Sequence, residues 1–164
     1  MKPILTFFLW SALLAHGQNT KFEFVYSERI GDIPDLYISS ESLLVKDMVN
    51  KPPIKVKIRL SKADRLLIRL KAKQIDFLSY PDEYKFVSAV TTDVYALSTP
   101  CSHYNLTIFE GDKSKHVYWN DCNVNGKSKD NRFENLQELQ RLICKILYTK
   151  KSYIRSKKPS AAYL

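Results

Sequence analysis

Glycine is scarce in this chain, with only four among 164 residues. One of the four, Gly17, lies in a segment that we expect to be removed. A loop that wraps a phosphate needs glycine, because a side chain would keep the backbone away from the ligand. The chain has neither a P-loop nor a G-x-G-x-x-G pattern. The composition therefore gives no support to a nucleotide-binding loop.

Histidine and the common catalytic motifs are also rare or missing. Only His103 and His116 remain once the N-terminal segment is removed, and the chain has no G-x-S-x-G elbow and no H-E-x-x-H motif. The spacing of the scattered carboxylates does not pair two of them for acid–base catalysis. These carboxylates are Asp76, Asp82, Glu83 and Asp93. The sequence therefore identifies no catalytic residue, metal ligand or cofactor, although distant positions can still converge into a triad.

A calcium loop is the nearest match to a known metal motif. Asp121, Asn123, Asn125 and Gly126 fit the opening of an EF-hand loop. Its twelfth position requires a bidentate Glu, and this chain has Arg132 there. Asn, Asp and Gly also make ordinary turns. We therefore predict no calcium site.

The chain has no apolar run long enough to span a bilayer, and its one apolar run is typical of an export signal. Lys2 provides a positive start, Ile4–Leu14 the apolar core, and Ala15–Gly17 a cleavage site that would leave Gln18 first. Since the first cysteine is Cys101, a lipoprotein signal is excluded. We predict an exported, soluble protein of the periplasm or extracellular space, without a membrane anchor.

Acidic residues are outnumbered, with 26 Lys and Arg against 17 Asp and Glu and a net charge of +9. The excess lies in Lys55–Lys73, with eight basic residues and one acid, and in Arg141–Leu164, with seven and none. Such clusters favour an anionic partner. For an exported protein this predicts an acidic protein or an anionic envelope glycan and no nucleic acid. A solvated, solubilising face is the alternative.

Three segments have the character of β-strands. Lys21–Arg29 alternates apolar and polar residues, Leu36–Asp47 does so less regularly, and Ile54–Leu60 places Lys and Arg opposite its apolar face. That basic face predicts a binding surface, which two residues of a later strand would extend on the same side of the sheet. The residues of this predicted sheet surface are Lys55, Lys57, Arg59, His116 and Tyr118.

Two segments predict amphipathic helices. Ser61 and Asp64 form a capping pattern for the first helix, which extends to about Leu78. One side of this helix is apolar, and we expect that side to face the core. It comprises Ala63, Leu66, Leu67, Leu70, Gln74 and Phe77. Phe133–Tyr148 predicts the second helix, where Cys144 borders the apolar stripe and is interpreted as a buried thiol rather than a nucleophile.

Gly111-Asp112 predicts a two-residue hairpin turn. Counting outward from that turn places Cys101 opposite Cys122 at a non-hydrogen-bonded site, so we predict a disulfide between them, whereas a four-residue turn would shift this register. The same register places His116 and His103 four residues apart along one face. That is about 13 Å at strand rise, too far for one shared metal ion. Asn105 lies in a glycosylation sequon that matters only in a eukaryotic secretory route.

The order of these segments resembles that of small exported bacterial α+β proteins of unknown function. The resemblance rests on Leu60–Asp64, on Ile75–Phe77, and on Pro100 before a hairpin and a closing helix. It implies a single α+β domain and brings no catalytic residue.

From these patterns we expect a signal at 1–17, one α+β domain at 18–149 and a basic tail at 150–164. The domain should be a curved antiparallel sheet of about five strands with two helices packed on one face. The predicted function is a non-enzymatic binding or interaction module. The alternative is a hydrolase acting on envelope material, or an inhibitor of an exported enzyme.

Overall fold

A computed structural model of the chain describes residues 21–30, 34–49, 51–87, 101–122, 128–156 and 158. The strands are β1 (Phe22–Arg29), β2 (Asp35–Ile38), β3 (Leu43–Lys46), β4 (Ile54–Lys57), β5 (His103–Glu110) and β6 (Lys113–Asn120). The helices are α1 (Lys62–Gln74), α2 (Arg132–Tyr148) and α3 (Lys151–Ile154), with a 3₁₀ turn at Phe77–Ser79. The predicted signal at 1–17 lies outside the described residues. Within the described part, no helix is long and apolar enough to cross a membrane.

The six strands form one antiparallel sheet in the order β4-β3-β2-β1-β5-β6. This confirms the α+β class, with one strand more than the approximate number expected. The additional strand arises because the segment 36–47 turns back at 39–42 and supplies both β2 and β3. The first four strands follow one another as neighbours. The chain then crosses through α1 and adds the β5–β6 hairpin to the free edge of β1, so β1 is an inner strand.

The core lies between one face of the sheet and the helices. β1 alternates as predicted, with Phe22, Phe24 and Tyr26 buried. α2 buries the apolar side that its sequence predicts, and Trp119 is fully buried on β6. Burying one such large apolar side chain contributes about 1.5–3 kcal/mol. The apolar residues of α2 in the core are Phe133, Leu136, Leu139, Ile143, Ile146 and Leu147.

The β5–β6 hairpin has the predicted register. Gly111 has a positive φ of 61°, which a two-residue turn requires and glycine adopts without strain. Glu110 pairs with Lys113, and the ladder continues for eight pairs to His103 and Asn120. Cys101 and Cys122 form the predicted disulfide just beyond it, with their Cα atoms 4.6 Å apart. The hairpin could be predicted because the turn and the residues that pair across it are close together in the sequence.

The predicted packing side of α1 is wrong. The predicted cap is present, since Ser61 Oγ accepts from the Asp64 backbone N–H and the Asp64 carboxylate accepts from the Ser61 N–H. However, the buried residues of α1 are Ile68 and Ala72. The predicted core positions Ala63, Leu66, Leu67, Leu70 and Gln74 are exposed, whereas Phe77, in the 3₁₀ turn after the helix, is buried as expected. The helix is therefore turned so that its leucines face solvent.

Ion pairs explain this orientation. Arg65 and Arg69 are one helical turn apart, and their guanidinium groups bind Glu23 of β1 at 2.9 Å and Glu110 of β5 at 2.6 Å. These carboxylates lie at the same end of two adjacent strands, because Phe22 is paired with Glu110. Arg65 also donates to the backbone oxygens of Phe22 and Ser39. Turning the leucines inward would move Arg65 and Arg69 away from these partners and Ile68 and Ala72 out of the core.

The first residues of the predicted basic tail are part of the fold. Lys150 Nζ is 2.6 Å from the carboxylate of Asp64, which links the end of α2 to the start of α1. The ring of Tyr153 stacks on Tyr148 at 4.5 Å, and the Nζ of Lys46 lies 4.7 Å from the Tyr153 ring centroid. Residues 150–156 therefore pack against the domain, through contacts with α1, α2 and β3.

We predict that Arg65→Met lowers the free energy of unfolding by about 2 kcal/mol at pH 7, the usual cost of losing hydrogen bonds to a charged group. Urea titration measures this. Lys62→Met is the control, since Lys62 makes no ion pair among the described residues, and it should change the free energy by less than about 0.5 kcal/mol. Equal effects of the two substitutions would contradict the role given to Arg65.

The same pair predicts a pH dependence. Burial alone would raise the pKa of Glu23, but hydrogen bonds from Ser39 and Arg65 and the charge of Arg65 hold it below the ordinary value of 4.5. A lowered carboxyl pKa stabilises the fold above the unfolded-state value, and the stabilisation is lost as the pH falls through the folded-state value. The difference in free energy of unfolding between Arg65→Met and the unchanged protein should therefore become smaller as the pH falls below about 4.

Candidate functional site

The predicted sheet surface does not form one contiguous site. Lys55 and Lys57 lie on β4, while His116 and Tyr118 lie on β6, and these are the two edge strands. All four share the face of the sheet that points away from the core, but about 24 Å of sheet separates the two pairs, at roughly 4.8 Å per strand. Arg59 is exposed beyond the end of β4.

The middle of that outer face is apolar. Val25 on β1 is opposite Ile38, and Leu36 is opposite Val45, which continues the same face toward β4. These side chains are half-buried. The basic and aromatic residues predicted to act together are therefore separated by an apolar region. Whether either edge binds a ligand stays a prediction.

Three large apolar side chains are exposed on one side of α1. Leu66, Leu67 and Leu70 are 52%, 52% and 54% exposed, and Ala63 continues the same side one turn earlier. We call these four residues the leucine stripe. Their spacing of three, four and seven residues places them on one helix face. Contiguous exposed apolar groups of this kind mark interaction surfaces more often than isolated ones do.

The basic cluster from Lys55 to Lys73 divides into two groups. Half of its members hold the fold together: Arg65, Arg69, Lys71 and Lys73 form ion pairs with Glu23, Glu110 or Glu138. The other half make no ion pair within the described ranges, and Lys57 only donates to the backbone oxygen of Glu41. That second group is Lys55, Lys57, Arg59 and Lys62. The excess positive charge is thus concentrated around β4 and the start of α1.

One pocket of about 350 Å³ lies between the end of α1 and the β5–β6 hairpin. Burial alone would raise the pKa of its Glu110 carboxyl, but hydrogen bonds from Lys73 and Arg69 hold it below the ordinary value of 4.5. A carboxylate kept ionised and paired in this way is a poor general acid. The pocket is lined by Ala72, Lys73, Asp76, Phe77, Leu78, Ile108, Glu110 and Lys113.

The scattered carboxylates are bound to different neighbours. Asp76 lies in the pocket, Asp82 is 2.5 Å from Lys115 Nζ, and Glu83 is 3.6 Å from Lys85 Nζ. Asp93 lies outside the described residues, as do positions 123–127 of the calcium-like loop. Within the described ranges, these contacts do not indicate a pair of carboxylates poised for acid–base catalysis.

A second cluster surrounds the disulfide. Nε2 of His103 lies 3.9 Å from the sulfur of Cys101 and 3.9 Å from that of Cys122. Its Nδ1 is 2.7 Å from the hydroxyl of Tyr118, whose ring stacks on the imidazole at 6.1 Å between centroids. His116 lies further along the hairpin, opposite Thr107 and 3.3 Å from Asn105 Oδ1. The structure thus places His103 with the disulfide and apart from His116.

The third cysteine, Cys144, lies on the buried side of α2. The sulfur of Cys144 lies 3.4 Å from the Tyr26 hydroxyl and 3.7 Å from the Glu28 carboxylate, and Gln140 donates to it. Burial, together with the negative charge of Glu28, raises the pKa of Cys144 to about 11. Since the thiolate is the reactive form, this thiol is unsuited to nucleophilic attack at neutral pH.

Two of these features escaped the sequence analysis. The leucine stripe was visible as a pattern, but its periodicity equally suits a core face, and only the arginines at positions 65 and 69 could have indicated otherwise. The cluster around the disulfide could have been predicted from the sequence, because His103 lies two residues from Cys101 in the same hairpin register that pairs Cys101 with Cys122.

Comparison of the chain with protein-family models and with curated protein sequences finds no match. The candidate sites are therefore identified from the geometry of their residues.

We predict that Cys144 in the native protein is alkylated by iodoacetamide about fifty-fold more slowly at pH 9 than in the unfolded chain. With a pKa of about 11, only about 1% of the native thiol is ionised there, against about half of a thiol with the ordinary pKa of 9.0. Mass spectrometry of the alkylated peptide measures both rates, with protein in urea as the control. Similar rates in both states would show that this thiol is accessible and ionises normally.

Proposed function

We propose that this protein is an exported, non-enzymatic binding module that docks an acidic amphipathic segment of a partner protein on the leucine stripe of α1. The export component rests on the predicted signal at 1–17. The Cys101–Cys122 disulfide supports it, because disulfides persist mainly in oxidising compartments outside the cytosol.

The exposure of the leucines on α1 is the main support for this proposal. Three leucines, each more than half exposed on one helix face, are held there by ion pairs on the opposite face. Covering them with the apolar side of a partner segment removes apolar area from water, which contributes roughly 25 cal/mol per Å² before the costs of association. Helix-on-helix docking through positions three, four and seven residues apart is a recurrent mode of peptide recognition.

Charge selects the partner. Lys62 is four residues before Leu66 and Lys73 is seven residues after it, so both border the stripe along one line of the helix. Lys62 makes no ion pair among the described residues, and the side chain of Lys73 is 54% exposed despite its contact with Glu110. A partner with acidic flanks complements this border. Docking of a second copy of this chain would place the lysines of the two copies close together, where they repel. An anionic glycan has no apolar surface that could cover the leucines.

The hydrolase alternative has weaker support, because the pocket beside α1 offers a paired carboxylate of lowered pKa rather than a poised acid. Inhibition of an exported enzyme is compatible with the proposal. An inhibitor is itself a binding module, and the leucine stripe would be its contact surface.

The test uses a labelled synthetic helix with leucines at heptad positions and glutamates on both flanks, titrated with the protein by fluorescence anisotropy. We expect binding that weakens with salt and falls at least about tenfold in Leu66→Ser/Leu70→Ser, as for central contacts of an interface. Ile154→Ser is the matched control, because Ile154 is an exposed apolar residue on α3 and 64% accessible. Circular dichroism verifies that the variants fold.

Four outcomes would overturn the proposal. Equal binding of a peptide with lysine flanks would remove the charge argument, and leucine-dependent dimerisation in light scattering would make the stripe a self-association surface. Leucine-dependent retention on anionic vesicles without peptide binding would make it a membrane contact. The last outcome is that the peptide no longer binds Lys55→Glu/Lys57→Glu/Arg59→Glu but still binds the leucine variant. The binding site would then be the predicted sheet surface.

A further inference from the structure

We propose that reduction of the Cys101–Cys122 disulfide converts its surroundings into a Zn²⁺ site, formed by the two cysteine thiolates and Nε2 of His103. The ligand atoms of these three residues all lie within 4.8 Å of one another, and all three residues are half-buried. The inference is independent of the proposed partner of α1, since it concerns the opposite face of the sheet.

The geometry is close to what zinc requires. A tetrahedral centre with Zn–S near 2.3 Å and Zn–N near 2.05 Å separates sulfur from nitrogen by about 3.6 Å and sulfur from sulfur by about 3.8 Å. Nε2 of His103 is 3.9 Å from each sulfur. The imidazole therefore needs to move by only a few tenths of an ångström, while the sulfurs separate when their bond is reduced.

Tyr118 holds the histidine in place. Its hydroxyl is 2.7 Å from Nδ1, the ring nitrogen opposite the sulfurs, and Nδ2 of Asn120 lies 3.4 Å from the same hydroxyl. An oxygen partner on the second ring nitrogen is the usual support of a zinc-bound histidine, because it fixes the tautomer that leaves Nε2 free to bind the ion. The two rings also stack, which restricts rotation of the imidazole.

The scaffold does not depend on the disulfide for this arrangement. β5 and β6 are joined by eight consecutive pairs that end at His103 and Asn120, and Cys101 and Cys122 lie two positions beyond that last pair. The ladder keeps the two cysteine Cα atoms near each other after reduction. A donor set of two thiolates and one imidazole favours thiophilic ions such as Zn²⁺ over Mg²⁺ or Ca²⁺, and three protein ligands leave a fourth position for water.

The chemistry balances with a dithiol as reductant. Its two thiols pass two electrons to the disulfide and become a disulfide themselves, while the S–S bond between Cys101 and Cys122 breaks and two thiols form. Zn²⁺ then displaces two protons from these thiols into solvent. A bound ion would hold the open end of the hairpin wherever reduction removes the covalent link.

The test uses the whole chain with Cys144→Ser, so that only two thiols remain, and Co²⁺ as a spectroscopic substitute for Zn²⁺. After reduction and removal of the reductant without oxygen, we expect one Co²⁺ per chain with thiolate-to-cobalt charge-transfer absorption, displaced by Zn²⁺. Tyr118→Phe should weaken binding about tenfold, as the loss of a supporting partner does, and His103→Phe should weaken it further. His116→Phe is the matched control and should leave the affinity unchanged.

Three results would overturn the inference. The first is a reduced chain that gives no thiolate-to-cobalt absorption. The second is equal affinity of His103→Phe and the reference protein, which would leave the thiolates alone as ligands. The third is equal binding before and after reduction, which would place the ion elsewhere. Because His103→Phe retains both cysteines, its oxidised form provides a folding control by circular dichroism.

Discussion

The contact between two arginines of α1 and two carboxylates at one end of the sheet determines how the rest of the protein is arranged. Arg65 and Arg69 bind Glu23 and Glu110 on neighbouring strands, and this sets the rotation of the helix about its axis. With that rotation, Ile68 and Ala72 enter the core. Lys71 pairs with Glu138 on α2, Asp64 pairs with Lys150 just after α2, and the leucines are left outside. The apolar periodicity of the sequence alone favours turning the leucines toward the core.

Features set by neighbouring residues were predictable from the sequence, and features set by distant ones were not. The turn at Gly111, the register that joins Cys101 to Cys122 and the apolar side of α2 all follow from local patterns, and the structure confirms them. The rotation of α1 depends on partners more than forty positions away in the chain. The strand order likewise decides that Lys55 and His116 lie on opposite edges, and no local pattern encodes it.

The candidate sites follow the same division. Exposure of the leucines could not be inferred from periodicity, since a core-facing helix and a docking helix show the same spacing of apolar residues. The cluster of His103, Tyr118 and the disulfide could have been inferred, because the hairpin alone brings these residues together. What the sequence could not supply was the distance from Nε2 to both sulfurs, which depends on the imidazole being held by Tyr118.

The inner position of β1 has a consequence for the order in which the chain folds. β1 is made first, yet its partner strand β5 begins at His103, and Phe22 pairs with a residue 88 positions later, Glu110. The meander from β1 to β4 can form early from local contacts, whereas one edge of β1 stays unpaired until the hairpin is available. An open strand edge is prone to pair with other chains. This edge of β1 therefore stays open to other chains until the hairpin has been synthesised, and we expect its long-range closure to be slow.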